Sequence, residues 1–365
     1  MTGVRLLTAP TTGPDDISAL ELLADNGFGT DDVLAVVGKT EGNGCVNDFS
    51  RTLASAVWEP HLNDAAVTVF SGGTEGVIAP HVNLLVADDR IDPRHQRGLV
   101  AAAGTTPAIP PAELGRVAHM EWVRDTVAKL VAELGIAGDD VHLVLVKCPL
   151  LTSTDIAGLR ALGIEPVSDD TYESMARSRA ASSLGIALAL DEIDTDTALA
   201  ALEGRRHAWS NRASASAGAE LKSCHVLVVG ESDKAANSLR ALHTEMKDAY
   251  DLDSLLSAAA LVSERGGRIR QLFVKAEADP SGTIRNLRHT MLTDSDINAT
   301  RHARAAVGAL VAAIKGDGSV YVSGGAEHQG RPGGGSVTVV YEVDPPQITR
   351  TAPLRKAHLD DHAPR

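Results

Sequence analysis

The chain has 365 residues, of which 44% are hydrophobic, 22% charged and only 3% aromatic, and its formal net charge is −14. That length can bury more than one hydrophobic core, and three small domains fit within it. The acidic balance repels phosphate backbones and anionic lipid, and so few aromatic rings leave little to stack on bases, which counts against nucleic acid and membrane surfaces as partners.

The opening stretch, "MTGVRLLTAPTTGPDDISAL", has neither a basic start with a long apolar run nor a small-residue cleavage site, so no secretory signal is read and a cytoplasmic protein is expected. The apolar run "DDVLAVVGKTEG" predicts a strand ending at Lys39. A helix with small apolar spacing follows in "VNDFSRTLASAVWE" and carries Arg51, and "AAVTVF" predicts a second strand leading into Ser71 of "SGGTEG". The Pro- and Gly-rich "GTTPAIPPAELG" at 104–115 is the expected linker, closing a first unit at 1–103 and opening a second at 112–238.

The second unit begins with an amphipathic helix in "MEWVRDTVAKLVAEL". The strand "DDVHLVLVKCPLLT" then ends at Lys147, the helix "ESMARSRAASSLGIALAL" carries Arg179, and Ser216 of "SAGAEL" precedes the strand-like "SCHVLVVG". A second, less marked linker is expected in the polar stretch after "VVGESDK", with the third unit at 245–365. There the strand "RIRQLFVKAEADPSG" ends at Lys275, "INATRHARAAVGALVAAI" is a helix with Arg304, and "GSVYV" leads into Ser323 of "SGGAEH". The glycine run "RPGGGSV" reads as a backbone turn, since no Lys-Ser/Thr follows as a P-loop requires. His358 and His362 of "HLDDH" have metal-ligand spacing but stand in a tail expected to be solvated and partly disordered. Cys45, Cys148 and Cys224 form an odd set without CxxC spacing and read as buried thiols, Cys148 pointing into packing because a strand alternates its faces.

A lysine strand, an arginine helix and a serine motif thus recur three times in one order. Agreement of three unlike features points to one unit tripled, and alternating strands and helices give an α/β (α+β) class. A serine hydroxyl is a poor nucleophile until a base takes its proton, and a lysine serves as that base when burial and neighbouring cations lower its pKa. The small residues after each serine, Gly72, Ala217 and Gly324, allow close approach of backbone N–H groups to a substrate oxygen. The pattern suggests amide hydrolysis by a Ser-Lys pair. A non-catalytic binder of flat heterocycles is the alternative from another class, and the body of the chain holds no HxH run of the kind a metal-dependent amidohydrolase uses.

The stretches "GKTEGNGCVND" (38–48), "SGGTEGVIAPH" (71–81), "VKCPLLT" (146–152), "DTYESM" (170–175), "RHTMLTDSDINATRHARA" (288–305) and "YVSGGAEHQG" (321–330) closely resemble the cyanuric acid hydrolase and barbiturase family over nearly the whole chain. The resemblance implies the Toblerone fold, three similar domains about a pseudo-threefold axis, and assembly as a homotetramer. It implies that Ser216 is the nucleophile and Lys147 its base. Lys39 with Ser71 and Lys275 with Ser323 would hold the substrate's other carbonyls, and Arg51, Arg179 and Arg304 would complete the ring of donors. No cofactor is implied for catalysis, but a structural divalent cation, Mg or Ca, is, held by the Glu277 carboxylate and groups of Ala326, Gln329, Gly330, Arg331 and Gly334. Arg331 stands where the family usually has Pro. Cyanuric acid is favoured over barbituric acid, because three near-equal donor sets complement a threefold-symmetric ring and the hydrolase-like wording is kept at the three motifs.

Overall fold

The computed structural model describes residues 2–90 and 92–344. The tail at 345–365, with His358 and His362, lies outside the described residues.

Three four-stranded sheets are laid down in turn. The first contains β1 (Gly3–Pro10), β2 (Val33–Thr40), β3 (Val67–Gly72) and β4 (His81–Asp88), with helices α1 (Ala19–Asp25) and α2 (Phe49–Trp58) between strands. The second contains β5 (Gly98–Thr105), β6 (Val141–Pro149), β7 (Ala213–Gly218) and β8 (His225–Ser232), with α3 (Val117–Leu134), α4 (Ser153–Ala161), α5 (Thr171–Ala189) and α6 (Thr195–Leu202). The third contains β9 (Leu239–Met246), β10 (Gly267–Ala276), β13 (Tyr321–Gly324) and β14 (Gly335–Val343), with α7 (Leu252–Glu264), α8 (Ala299–Lys315) and a small hairpin of β11 (Thr283–Ile284) and β12 (Leu287–Arg288).

All three sheets share one spatial order: first strand, last strand, lysine strand, serine strand. The lysine and serine strands run parallel, as a strand-helix-strand crossover dictates, and the remaining pairs are antiparallel. The tripled unit expected from the sequence is therefore present as three copies of one topology.

The two-residue period of a strand decides what meets at the axis. One row from each sheet forms a shared apolar core: Ala35, Val37, Val67 and Val69 from the first, Leu143 and Leu145 from the second, Phe273 and Tyr321 from the third. The opposite faces are covered by helices, as where Val36 and Phe70 pack with Trp58 of α2, and Val144 and Val146 with Val123 and Val127 of α3. Burying each such side chain contributes roughly 1.5–3 kcal/mol. Continuing the axial rows by two residues reaches Lys39, Ser71, Lys147, Lys275 and Ser323. The polar groups thus stand at one end of the apolar core because of where the strands stop.

The second and third sheets each begin ahead of the units expected from the sequence. β5 pairs along its whole length with β8, so residues 98–103 belong to the second sheet, and the chain passes between sheets at residues 89–97, ahead of the segment at 104–115. An Ala- and Gly-rich strand beside a Pro-rich loop carries little strand signal of its own, and its pairing partner lies far along the chain. The second changeover, at residues 233–238, falls in the polar stretch after "VVGESDK", so residues 239–244 belong to the third sheet.

Candidate active site

Each lysine is the register partner of its own serine across the parallel pair: Lys39 with Ser71, Lys147 with Ser216, Lys275 with Ser323. All six side chains are buried, as are Arg51, Arg179 and Arg304. Lys39 donates Nζ to Ser71 Oγ (3.3 Å) and the Gly72 carbonyl (3.2 Å), and Lys275 does so to Ser323 Oγ (3.1 Å) and the Gly324 carbonyl (3.2 Å). Contacts between sheets close the constellation. Ser71 Oγ donates to Ser323 Oγ at 3.3 Å, and Lys275 Nζ also reaches the Ala215 carbonyl at 2.8 Å. The side chains proposed from three distant segments are therefore gathered at one centre.

The middle pair is arranged differently. Lys147 Nζ donates to the Ala217 carbonyl (3.2 Å) and lies 3.3 Å from Glu220 Oε1, while Ser216 Oγ has no hydrogen-bond partner among the described residues. Burial pushes all three ammonium groups down. Lys39 and Lys275 fall well below 10.5, each further depressed by a nearby arginine, whereas Lys147 falls to about 8 because the Glu220 carboxylate opposes its burial. General-base activation of a serine needs an amine whose pKa is brought toward neutrality and a hydroxyl not committed elsewhere, and the middle pair has both across one register position.

The arginines reach across unit boundaries. Arg304 of α8 forms a bidentate pair with Glu75 (2.8 and 2.5 Å), and Arg179 of α5 another with Glu327 (2.7 and 2.7 Å). Arg51 of α2 donates instead to the Ala217 carbonyl at 2.8 Å and the Cys45 carbonyl at 2.6 Å. Each arginine thus holds the serine loop of the next unit in a ring. The glutamates Glu75, Glu220 and Glu327 are the fifth letter of the three serine motifs. The arginine partners of Glu75 and Glu327 lie in another unit, which no local spacing shows, whereas Glu220 sits against Lys147 of its own unit.

Two expectations need adjustment. The carbonyls of Gly72, Ala217 and Gly324 accept from the lysines, and the Gly73 N–H is engaged by the Thr40 carbonyl at 2.9 Å, so that donor is not open to a substrate oxygen. Cys148 and Cys224 are buried as expected, but Cys45 is only half-buried, in the loop that Arg51 and Arg304 clasp.

Glu277, Ala326 and Gly330 line one cavity of about 170 Å³, together with Glu327 and His328. Burial and the neighbouring Glu327 push the Glu277 carboxyl up to about 7, and among the described residues no Lys or Arg pairs with it. Gln329 spends its amide oxygen on the Ala215 N–H (2.6 Å) and its carbonyl on the Ser336 N–H (2.8 Å), the Ala326 and Arg331 carbonyls accept from the Gln329 and Gly334 N–H groups (2.9 and 3.0 Å), and the Arg331 side chain is engaged with Glu245 (2.6 Å). The Glu277 carboxylate, which accepts from the Gly333 N–H at 3.0 Å and has no ion-pair partner among the described residues, is a ligand suited to a hard divalent ion, and the Arg331 side chain is occupied elsewhere. Gln329, Arg331 and Gly334 do not line that cavity.

Residues 5–342 match the family described as amidohydrolase ring-opening protein. The chain belongs to the ring-opening amidohydrolase family. Among curated members, a cyanuric acid amidohydrolase from a Rhodococcus species is 63% identical over 343 residues, covering 94% of this chain and 97% of that protein. One from Pseudonocardia dioxanivorans is 56% identical, covering 94% and 99%. A solved cyanuric acid hydrolase, described as an innovation by structural concatenation, superposes with a TM-score of 0.89 at 41% identity, covering 94% of this chain and all of that one. The fold of this family member is thus the concatenated, three-unit Toblerone architecture.

Proposed function

We propose that the protein hydrolyses cyanuric acid to carboxybiuret, which loses carbon dioxide to give biuret. The observation that carries this reading is the ring of three register-matched Lys-Ser pairs about one axis, complementary to a planar ring with three equivalent carbonyls. The names of relatives up to 63% identical support the same substrate. In this reading uncharged Lys147 takes the Ser216 proton as Oγ attacks a ring carbonyl carbon. The ring C–N bond breaks, and Lys147 returns the proton to the leaving nitrogen. Water then adds to the ester carbonyl with Lys147 again as base, freeing Ser216. The outer pairs and the arginines hold the other two carbonyls and keep the ring oriented.

The test is turnover by the purified protein of cyanuric acid, barbituric acid and a simple cyclic imide, beside the Ser216→Ala and Lys147→Ala variants. The reading expects cyanuric acid to be opened fastest and both variants to lose at least about 10³-fold in kcat. Faster opening of barbituric acid would reassign the substrate, tight binding with no ring opening would make the protein a binder, and a normal Ser216→Ala enzyme would move the nucleophile. A structural divalent ion held by Glu277 and carbonyls of the 326–334 loop, a cytoplasmic setting and a homotetrameric assembly complete the proposal. Among the described residues no helix is long and apolar enough to cross a membrane.

A further inference from the structure

The three serine loops share their lettering but not their backbone. In the outer loops the third and sixth residues are left-handed: Gly73 (φ 101°) and Gly76 (φ 68°) in the first, Gly325 (φ 73°) and His328 (φ 59°) in the third. The middle loop has Gly218 and Leu221 there, and neither has a positive φ. Leucine resists the left-handed region, so the sequence itself withholds the outer-loop path from the middle loop.

The different path sends the motif glutamate elsewhere. A β-carbon at Gly73 would meet the Arg304 guanidinium at 2.5 Å and one at Gly325 the Arg179 guanidinium at 2.6 Å, whereas at Gly218 it would run into the Glu220 carboxylate. Glu75 and Glu327 lie in their arginine clasps. Glu220, its side chain 5% exposed, sits against Lys147, and neither of its oxygens accepts a well-formed hydrogen bond among the described residues.

We infer that Glu220 is a positioning residue which, by leaving the arginine clasp and seating against Lys147, selects the middle pair from three equivalent ones as the reacting pair. This rests on the reading above that Lys147 and Ser216 react. The charged and titratable groups acting on Lys147 are Glu220, Arg51, Asp48 and Cys148. Arg51 acts with burial, and Glu220 is the strongest group acting against it. With the Glu220 carboxylate 3.3 Å from its Nζ holding it near 8, the Lys147 amine stays basic enough to take a proton from a hydroxyl and is free to do so in mildly alkaline solution.

The experiment is the pH dependence of kcat/KM for cyanuric acid. Glu220→Gln keeps the shape and removes the charge. Its acid limb is expected to move down by about one pH unit or more, and its plateau to fall about tenfold or more. Glu220→Asp, which keeps the charge, should recover most of both and serves if the amide variant does not fold. Glu75→Gln, the same change in an outer loop, should raise KM with the limb unmoved. An unmoved limb in Glu220→Gln, with Ser216→Ala inactive, overturns the inference alone. An active Ser216→Ala overturns the reading beneath it.

Discussion

Replacing Arg304 by methionine keeps the aliphatic stem and removes the guanidinium that joins the third unit to the first. Its side chain is 3% exposed and that of Glu75 13%, and the pair makes two charge-assisted hydrogen bonds. Removing one partner of a buried pair costs about 3–5 kcal/mol when the other charge is left alone, and less than that here because Arg301 Nε stays 3.3 Å from Glu75 Oε1. Arg304 also lowers Lys39, so the variant leaves Glu75 as the main charge acting on that amine and should raise its pKa as well. The double variant Arg304→Met with Glu75→Gln removes both charges and should be less destabilised than the single changes add up to, with a coupling of roughly 1–3 kcal/mol. Unfolding in urea of the parent, both singles and the double gives the cycle. A single-variant loss below about 1 kcal/mol, or additivity within about 0.5 kcal/mol, would refute the view that the clasp ties the units together.

Gly73→Ala should be strongly destabilising and lower the affinity for the ring substrate, because its φ of 101° strains an L residue and the new methyl group meets the Arg304 guanidinium at 2.5 Å; melting temperature and KM report the two effects. Burial holds His119 near 3, against 6.5 when exposed, so the stability linked to it is complete above pH 6.5 and is lost as pH falls from 6.5 toward 3. His119→Asn should therefore flatten the acid loss of stability by on the order of 2 kcal/mol at pH 4.5, read from urea titrations at several pH values. Adding Mg or Ca to chelator-treated protein should raise its melting temperature, and Glu277→Gln should abolish the response; an equal response in the variant would place the ion elsewhere.

Much of the site was legible because a strand repeats every two residues. Runs such as "LAVVGK" and "LVLVK" fix which residues face the axis, and the lysine at the end of the run inherits that face. The serine strands were less uniform. "VTVFS" announces itself, but Ala213–Gly218 has little strand propensity and is a strand only because it pairs with β6 and is buried throughout. The same dependence on a distant partner placed β5 in the second sheet. The glutamates were visible as letters, yet their function lies in arginines from neighbouring units and, at Glu220, in a backbone path that Leu221 imposes. That leucine, with Ala217 in place of the outer glycines, was the local sign that the middle loop departs from its sisters.

The most direct measurement of the central claim is mass spectrometry of the enzyme quenched during turnover of cyanuric acid, with the modified peptide sequenced. Addition of Ser216 across a ring C–N bond loses no atoms, so the peptide containing Ser216 should carry the mass of one whole substrate molecule. The same mass on the peptide of Ser71 or Ser323, with Ser216 unmodified, would contradict the account.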